Sequence, residues 1–344
     1  MLHYQIEIEV PKGLEDIAKQ ELHALYSDRI SHLEIQPAAL RFNYTGNLGG
    51  LLALQTVYSV YEVLSFDIPR PKALLGHQYF THLVGNIQAI IDLHPKEMFH
   101  TLHIAAAGSQ STVMKRLLHE LAEATGLVAD YKQGDLLLRL RPNRHQTTWE
   151  ALLRISARPN ATRSWRAADY KGALNGAVAR AMVYLSNPSP YDHILNLCCG
   201  SGSLAIERAL HMPFQVIDAC DNDIEVLEKA AENISTLPKG NTINLHYWDA
   251  TNLPVDHSTY NVFLVDLPFG NLTGTHNENV TLYPKLFNEM ARVALPEARA
   301  VVISHELKLL ESVLNHTQGW HVVGNRQIQL RGLNPAIYIL SHSR

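Results

Sequence analysis

Cysteine is scarce in this chain: 344 residues hold three, Cys198, Cys199 and Cys220, with no Cys-x-x-Cys pair. A disulfide framework and a zinc ribbon are therefore excluded. Excess positive charge is missing too. The formal net charge is −4, which excludes a uniformly basic nucleic-acid coat. No long apolar run occurs. The most apolar stretch, 51–66, is broken by Gln55, Thr56, Ser59 and Glu62, and a membrane helix needs ~20 apolar residues. The opening residues carry neither a basic n-region nor an apolar core, so a cytoplasmic protein is expected, with no secretory leader and no membrane partner. The nineteen histidines do not suggest a metal. The close pairs, His100 with His103 and His316 with His321, lack nearby ligands to complete a site. Internal repeats and low-complexity tracts are absent.

What is present is a composition able to bury a core: 46% hydrophobic and 18% charged residues. The length calls for two or three domains. Charge is uneven. Residues 1–171 carry 18 basic and 17 acidic side chains, residues 172–344 carry 11 and 16, so the halves stand at +1 and −5.

The first half mixes periods. Residues 4–10 alternate like a strand and stop at Pro11 and Gly13. Residues 14–25 have helical apolar spacing, and so does 51–64, which predicts a second amphipathic helix. Pro69-Arg70-Pro71 reads as a linker. A strand at 102–107, a helix at 111–125 stopped by Gly126, and a strand at 135–141 follow. Residues 139–171 stand apart. Arg139, Arg141, Arg144, Arg154, Arg158, Arg163, Arg166 and Lys171 face only Glu150 and Asp169, and Trp149, Trp165 and Tyr170 are interleaved. Such a mixture suits phosphate contact and base stacking. It also suits a solvated interdomain connector whose arginines pair with the acidic second half.

The second half alternates regularly. Strands at 193–199, 214–221, 244–248, 260–266 and 300–305 are interspersed with helices at 203–211, 224–234, 283–294 and 307–316. Two consecutive strands, 322–331 and 336–341, close the chain. This predicts an α/β fold: a doubly wound parallel sheet ending in an antiparallel hairpin.

The sharpest motif is Asn196-Leu197-Cys198-Cys199-Gly200-Ser201-Gly202-Ser203, where a strand turns into a helix. The glycines permit a tight turn and close backbone approach to a ligand. With Ala205 it also fits G-x-G-x-x-A, and Asp221 lies about 20 residues on, so a nicotinamide enzyme stays open at this point. Asp221-Asn222 and Asp249-Ala250 place two carboxylates at successive strand ends, one suited to a ribose and one to an adenine amine. The fourth strand ends in Asp266-Leu267-Pro268-Phe269-Gly270. An exocyclic base amine is a poor nucleophile, because its lone pair is conjugated with the ring. A carboxylate and a backbone carbonyl can hold its two hydrogens, and an aromatic ring can stack on the flipped base.

That strand-end motif resembles the signature of S-adenosylmethionine-dependent methyltransferases acting on base amino groups. With Gly274-Thr275-His276-Asn277-Glu278-Asn279, Leu282-Tyr283-Pro284 and the tail 330–338, the chain is similar to THUMP-domain tRNA guanosine-N2 methyltransferases. The resemblance implies S-adenosylmethionine as cofactor and tRNA as partner, and leaves open whether a small activating subunit is required. It implies a ferredoxin-like subdomain at 1–60, a THUMP RNA-binding domain at 61–155, a linker at 156–180 and a Rossmann-like methyltransferase domain at 181–344. Catalysis would rest on Asp266, Leu267, Pro268 and Phe269. The cofactor would touch Asn196, Cys198, Gly200, Ser201, Gly202, Ser203, Asp221, Asn222, Asp249, Ala250 and Asp266. RNA would touch Arg141, Arg144, Arg158, Arg163, Arg166 and Lys171. Asn196 stands where the family usually has Asp, which weakens one contact to the methionine amino group or to loop water and leaves the backbone contacts alone. Glu207 resembles the acid that follows the family's glycine loop, or is a solvent-facing helix residue. Residues 170–175 close over the cofactor or simply pack. Methylation of adenine N6 and a non-catalytic RNA-binding role remain alternatives.

Overall fold

The computed structural model describes residues 3–143, 148–238, 240, 242–269, 275–330 and 332–343. Arg144, Gly270 and Gly274 lie outside the described residues. The chain forms two compact units, residues 1–10 with 18–161, and residues 11–17 with 162–344.

The first unit is built on one eight-stranded sheet. Its elements are β1 (His3–Glu9), α1 (Glu15–Tyr26), β2 (Ile30–Gln36), β3 (Ala39–Thr45), β4 (Ser59–Phe66), α2 (His77–Ile91), β5 (Thr101–Ala106), α3 (Thr112–Thr125), β6 (Val128–Ala129), β7 (Leu136–Pro142) and β8 (Trp149–Arg154). Strand order is β2-β3-β1-β4-β8-β7-β5-β6. Apolar faces of the three helices, such as Leu22, Leu83 with Ile87, and Leu117 with Leu121, pack with Ile6, Phe42, Leu64, Leu138 and Leu153. The helix expected at 51–64 is not there. Leu48–Ala53 is a short 3-10 turn, capped where the Asn47 side chain accepts from the Gly49 N–H, and β4 follows. All but one residue of β4 is buried, so it shows none of the alternation that marks a half-exposed strand. Its β-branched and aromatic residues favour the strand. The sequence-based boundary at 60/61 falls inside this strand, which pairs with β1 on one side and β8 on the other.

The second unit comprises α4 (Gly176–Leu185), β9 (His193–Leu197), α5 (Ser203–Ala209), β10 (Val216–Asp221), α6 (Ile224–Ser235), β11 (Asn244–Tyr247), β12 (Tyr260–Asp266), α7 (His276–Val293), β13 (Ala294–Ser304), α8 (Leu307–His316), β14 (Trp320–Gln327) and β15 (Ala336–His342). Strand order is β11-β10-β9-β12-β13-β15-β14. The first five strands run parallel, and β15 is antiparallel to both β13 and β14. The expected α/β architecture with its closing antiparallel pair is therefore present. Neighbouring residues on each strand feed opposite cores. Ile194, Leu264 and Val301 pack with α4, α5 and α6, while Leu195, Val265 and Val302 pack with α7 and α8. Residues 11–17 also belong here: Leu14 and Ile17 enter the core, and Asp16 pairs with Arg326 at 2.6 Å.

α7 starts at His276, earlier than the expected 283. Thr275 and Glu278 form a reciprocal capping box, and Pro284 lies inside the helix instead of near its start. Among the described residues, no helix is long and apolar enough to cross a membrane.

Candidate active site

In an open parallel sheet, ligands bind beyond the carboxyl ends of the strands where the winding reverses. Here that point lies between β9 and β12. A cavity of about 740 Å³ opens there, within the range of small-molecule clefts. Its walls come from the ends of β9, β10, β11 and β12, from residues 170–175 and from α7.

The β9–α5 loop is bent at three alternate positions. Cys198, Gly200 and Gly202 all have positive φ, at 49°, 53° and 84°. A side chain is strained in that region, so the two glycines serve the turn, and Cys198 carries strain of order 1–3 kcal/mol. The Gly200 N–H donates to Asp221 Oδ2 at 2.9 Å, and the Asp223 N–H to Asp221 Oδ1 at 3.2 Å. Burial raises the Asp221 carboxyl, opposed by these backbone donors. Ser201 Oγ is buried in the wall with no hydrogen-bond partner among the described residues. Asn233 braces the loop from α6. Its Nδ2 donates to the Ser201 carbonyl at 3.0 Å and its Oδ1 accepts from the Ala168 N–H at 2.9 Å. Residues 170–175 all line the cavity.

Asn222, Asp249 and Ala250 line it as well. Asp249 Oδ1 accepts from the Thr251 N–H and hydroxyl, both at 2.8 Å. Trp248 also reaches the cavity, stacked on His246 at 3.8 Å and 12°.

At the end of β12, Asp266 faces the cavity, and burial pushes its carboxyl up to about 7. The Leu267 N–H donates to the Ile303 carbonyl at 3.1 Å, extending the strand pairing by one residue. The Pro268 carbonyl accepts twice, from the Tyr283 hydroxyl at 2.7 Å and from Asn279 Nδ2 at 2.9 Å. The tyrosine in turn meets Ser304 Oγ at 3.1 Å. Asn279 and Tyr283 are one helical turn apart on α7, which puts both on one face. Their part in holding this loop was not predicted from the sequence; the i, i+4 spacing was its only local trace. Phe269 lines the cavity with its ring 6.2 Å from His305.

Several expected residues sit elsewhere. Asn196 does not line the cavity. It is fully buried, with Nδ2 donating to the Leu264 carbonyl at 2.8 Å and Oδ1 accepting from the Ala205 N–H at 3.3 Å. It shares strand parity with Ile194, which directs it beneath the loop, where it ties β9 to β12 and α5. Gly202 shapes the turn without lining the cavity. Glu207 is no solvent-facing residue: fully buried, it accepts from Arg163 at 2.6 Å, Arg180 at 2.7 Å and Trp165 at 3.2 Å.

Arg163 is consequently buried, and a phosphate contact there does not fit this placement. Arg166 is half-buried, donating to the Leu174 carbonyl and to Ser203 Oγ. Arg141 grips Glu7 and Glu150, and Arg139 pairs with Glu9. Arg158 and Lys171 are exposed, the latter at the cavity rim.

The human tRNA (guanine(6)-N(2))-methyltransferase THUMP3 is 32% identical over 180 residues, 48% of this chain and 36% of that protein. A Methanocaldococcus jannaschii tRNA (guanine(6)-N2)-methyltransferase is 23% identical over 189 residues, 44% of this chain and 50% of the relative. The chain spans about a third of the length of THUMP3. The crystal structure of TrmN from Thermus thermophilus superposes with TM-score 0.75 at 22% identity, over 99% of this chain and all of that one. Residues 163–336 match the RMKL-like methyltransferase domain, which removes the nicotinamide alternative. The cofactor of such a domain is S-adenosylmethionine, and the cavity fits it: an orphaned Ser201 Oγ and three strand-end carboxylates line one cleft. From the glycine loop through the Asp266 strand end to the closing strands, the match covers the cavity's main walls, and the chain belongs to the family of RMKL-like methyltransferase domains.

Proposed function

We propose that this protein methylates the exocyclic N2 of a guanine in tRNA. The observation that carries the reading is the Asp266-Leu267-Pro268-Phe269 strand end at the cofactor cavity, with an acidic group that has no partner among the described residues and a loop pinned by α7. The printed names of the human and archaeal relatives support the choice of tRNA and of guanine N2.

In this reading Gly200, Ser201 and Ser203 cradle the methionine end of the cofactor, Asp221 and Asn222 hold the ribose, and Asp249 with Ala250 receives the adenine. The cofactor supplies an electrophilic methyl group. The Asp266 carboxylate and the Leu267 carbonyl accept the two amine hydrogens, which frees the nitrogen lone pair from the ring. Phe269 stacks on the base. Positive charge developing on the methylated nitrogen would lie beside the Asp266 carboxylate, which would take the released proton. In this reading the THUMP domain and its ferredoxin-like partner share the eight-stranded sheet of the first unit, with Arg158 and Lys171 as exposed phosphate contacts. An RNA substrate and three free thiols go with a cytoplasmic location.

Mass spectrometry of nucleosides from tRNA of a deletion strain tests this. N2-methylguanosine should fall and return with the gene. Loss of N6-methyladenosine instead would select the adenine alternative, and no change in any methylated nucleoside would select the non-catalytic one.

A further inference from the structure

Besides Asp266 and Ser201 Oγ, the cavity wall holds another buried acceptor with no partner among the described residues. Asn279 is fully buried and lines the cleft. Its amide orientation is fixed, because Nδ2 points at two acceptors, the Pro268 carbonyl at 2.9 Å and Glu306 Oε1 at 3.4 Å. Oδ1 is left buried without a partner among the described residues. An unsatisfied buried acceptor is costly to the fold, and at a substrate cleft it is open to a donor on the ligand. The same side chain holds the Pro268 carbonyl just after Asp266 and Leu267, and all three residues line one cavity.

We infer that Asn279 is a base-discriminating residue whose Oδ1 accepts the N1–H of the target guanine. The inference rests on the guanine-N2 reading above. Guanine presents N1–H beside its N2 amine on one edge. Asp266 and Leu267 take the amine hydrogens, which leaves N1–H for a third acceptor. Adenine has a bare lone pair at N1, which would confront the Asn279 oxygen and repel it. Asp266 with Leu267 thus selects an amine, and Asn279 selects which base carries it. Glu306 and His276, paired at 2.8 Å, back the amide from behind and keep it from flipping.

The test compares guanosine with 2-aminopurine riboside, which keeps the C2 amine but has no N1 hydrogen. Each is placed at the methylated position of the same tRNA, and single-turnover methyl transfer is measured. Wild type should prefer guanosine by about 10- to 100-fold. Asn279→Ala should compress that ratio toward unity while S-adenosylhomocysteine still binds. Tyr283→Phe, which loosens Pro268 without touching the base, should slow both substrates equally and preserve the ratio. An unchanged ratio in Asn279→Ala would reduce Asn279 to a loop brace and overturn the inference. Should that variant fail to fold, wild type alone decides: equal rates on both substrates would overturn it too. Wild type that methylates no tRNA guanosine at all would instead sink the guanine-N2 reading.

Discussion

Buried carboxylates in the two units live in opposite electrostatic conditions. On the first sheet, Glu150 is almost fully buried. Burial alone would raise its carboxyl, yet hydrogen bonds and charge from Arg41 at 2.8 Å and Arg141 at 2.9 Å bring it below the usual range. At the rim of the second sheet, Asp266 is also withdrawn from water, no cation among the described residues offsets the burial, and it rises to about 7. A paired carboxylate is structural cement, whereas an unpaired one at a cavity is poised to accept a hydrogen. Glu62 sharpens the lesson. It too is pushed up to about 7 by burial, but it lies between Ile6 and Leu153 in the closed core of the first unit. A raised pKa marks a site only where a cleft reaches the group.

The largest expected effect falls on Asp266. Asp266→Ala should cut single-turnover methyl transfer by ~10²–10³, about 2.7–4 kcal/mol, with S-adenosylhomocysteine binding kept by Asp221 and Asp249. The acceptor is the ionised form of a group near 7, so the wild-type rate should rise as pH passes through about 7. Asp266→Asn should be slower but flat over the same window, because its amide oxygen accepts at every pH. Full activity in Asp266→Ala with cofactor bound would place the amine elsewhere. Glu150→Ala tests the other side. It strips Arg41 and Arg141 of a shared partner and should cost about 3 kcal/mol of stability, the lower end for a broken buried pair, since both arginines still reach water. Urea denaturation checks this, and cofactor affinity should not move.

The contrast also explains what was legible in the sequence. The alternation of strands and helices in the second half, and the residues at each strand's carboxyl end, follow from local periodicity, so Asp221, Asp249 and Asp266 could be placed from spacing. Contacts made across the fold could not. The Glu207 pairing with Arg163 spans 44 residues and turned an apparent RNA arginine into a buried strut. Asn196 sits next to the glycine loop in sequence, but strand parity points it into the core. Tyr283 meets Pro268 over 15 residues. Strand β4 failed for the opposite reason: buried on both faces, it has no period to read, and with Leu51, Leu52 and Leu54 before it the 51–64 window mimics helical spacing.

Glu62 offers a smaller effect with the reverse sign from an ion pair. Its folded pKa of about 7 lies above the ordinary 4.5, so the folded state binds the proton more tightly than the unfolded chain. Stability should fall as pH rises from about 4.5 to 7 and stay lower above that. Glu62→Gln should remove this slope and gain on the order of 1 kcal/mol at pH 8, with methyl transfer unaltered. Thermal melts at pH 5 and pH 8 measure it. A loss of activity in this variant would blur the line drawn between closed-core and cleft carboxylates.

The smallest effect concerns the arginines that remain unburied. Arg139 and Arg141 are tied to Glu9, Glu7 and Glu150, and Arg163 is sealed against Glu207. Arg158 is exposed. A phosphate contact by one arginine contributes about 0.7–0.9 to the log–log slope of affinity against salt. Arg158→Ala should therefore reduce the tRNA slope by that amount and weaken binding modestly at low salt, with cofactor affinity and the pH profile unchanged. Arg163→Ala should instead lower the melting temperature by uncovering Glu207, and leave the slope of the folded protein as it was. A slope that responds to Arg163 and ignores Arg158 would mean that the buried ion pair opens on RNA binding, and the division between paired and available charge would have to be redrawn.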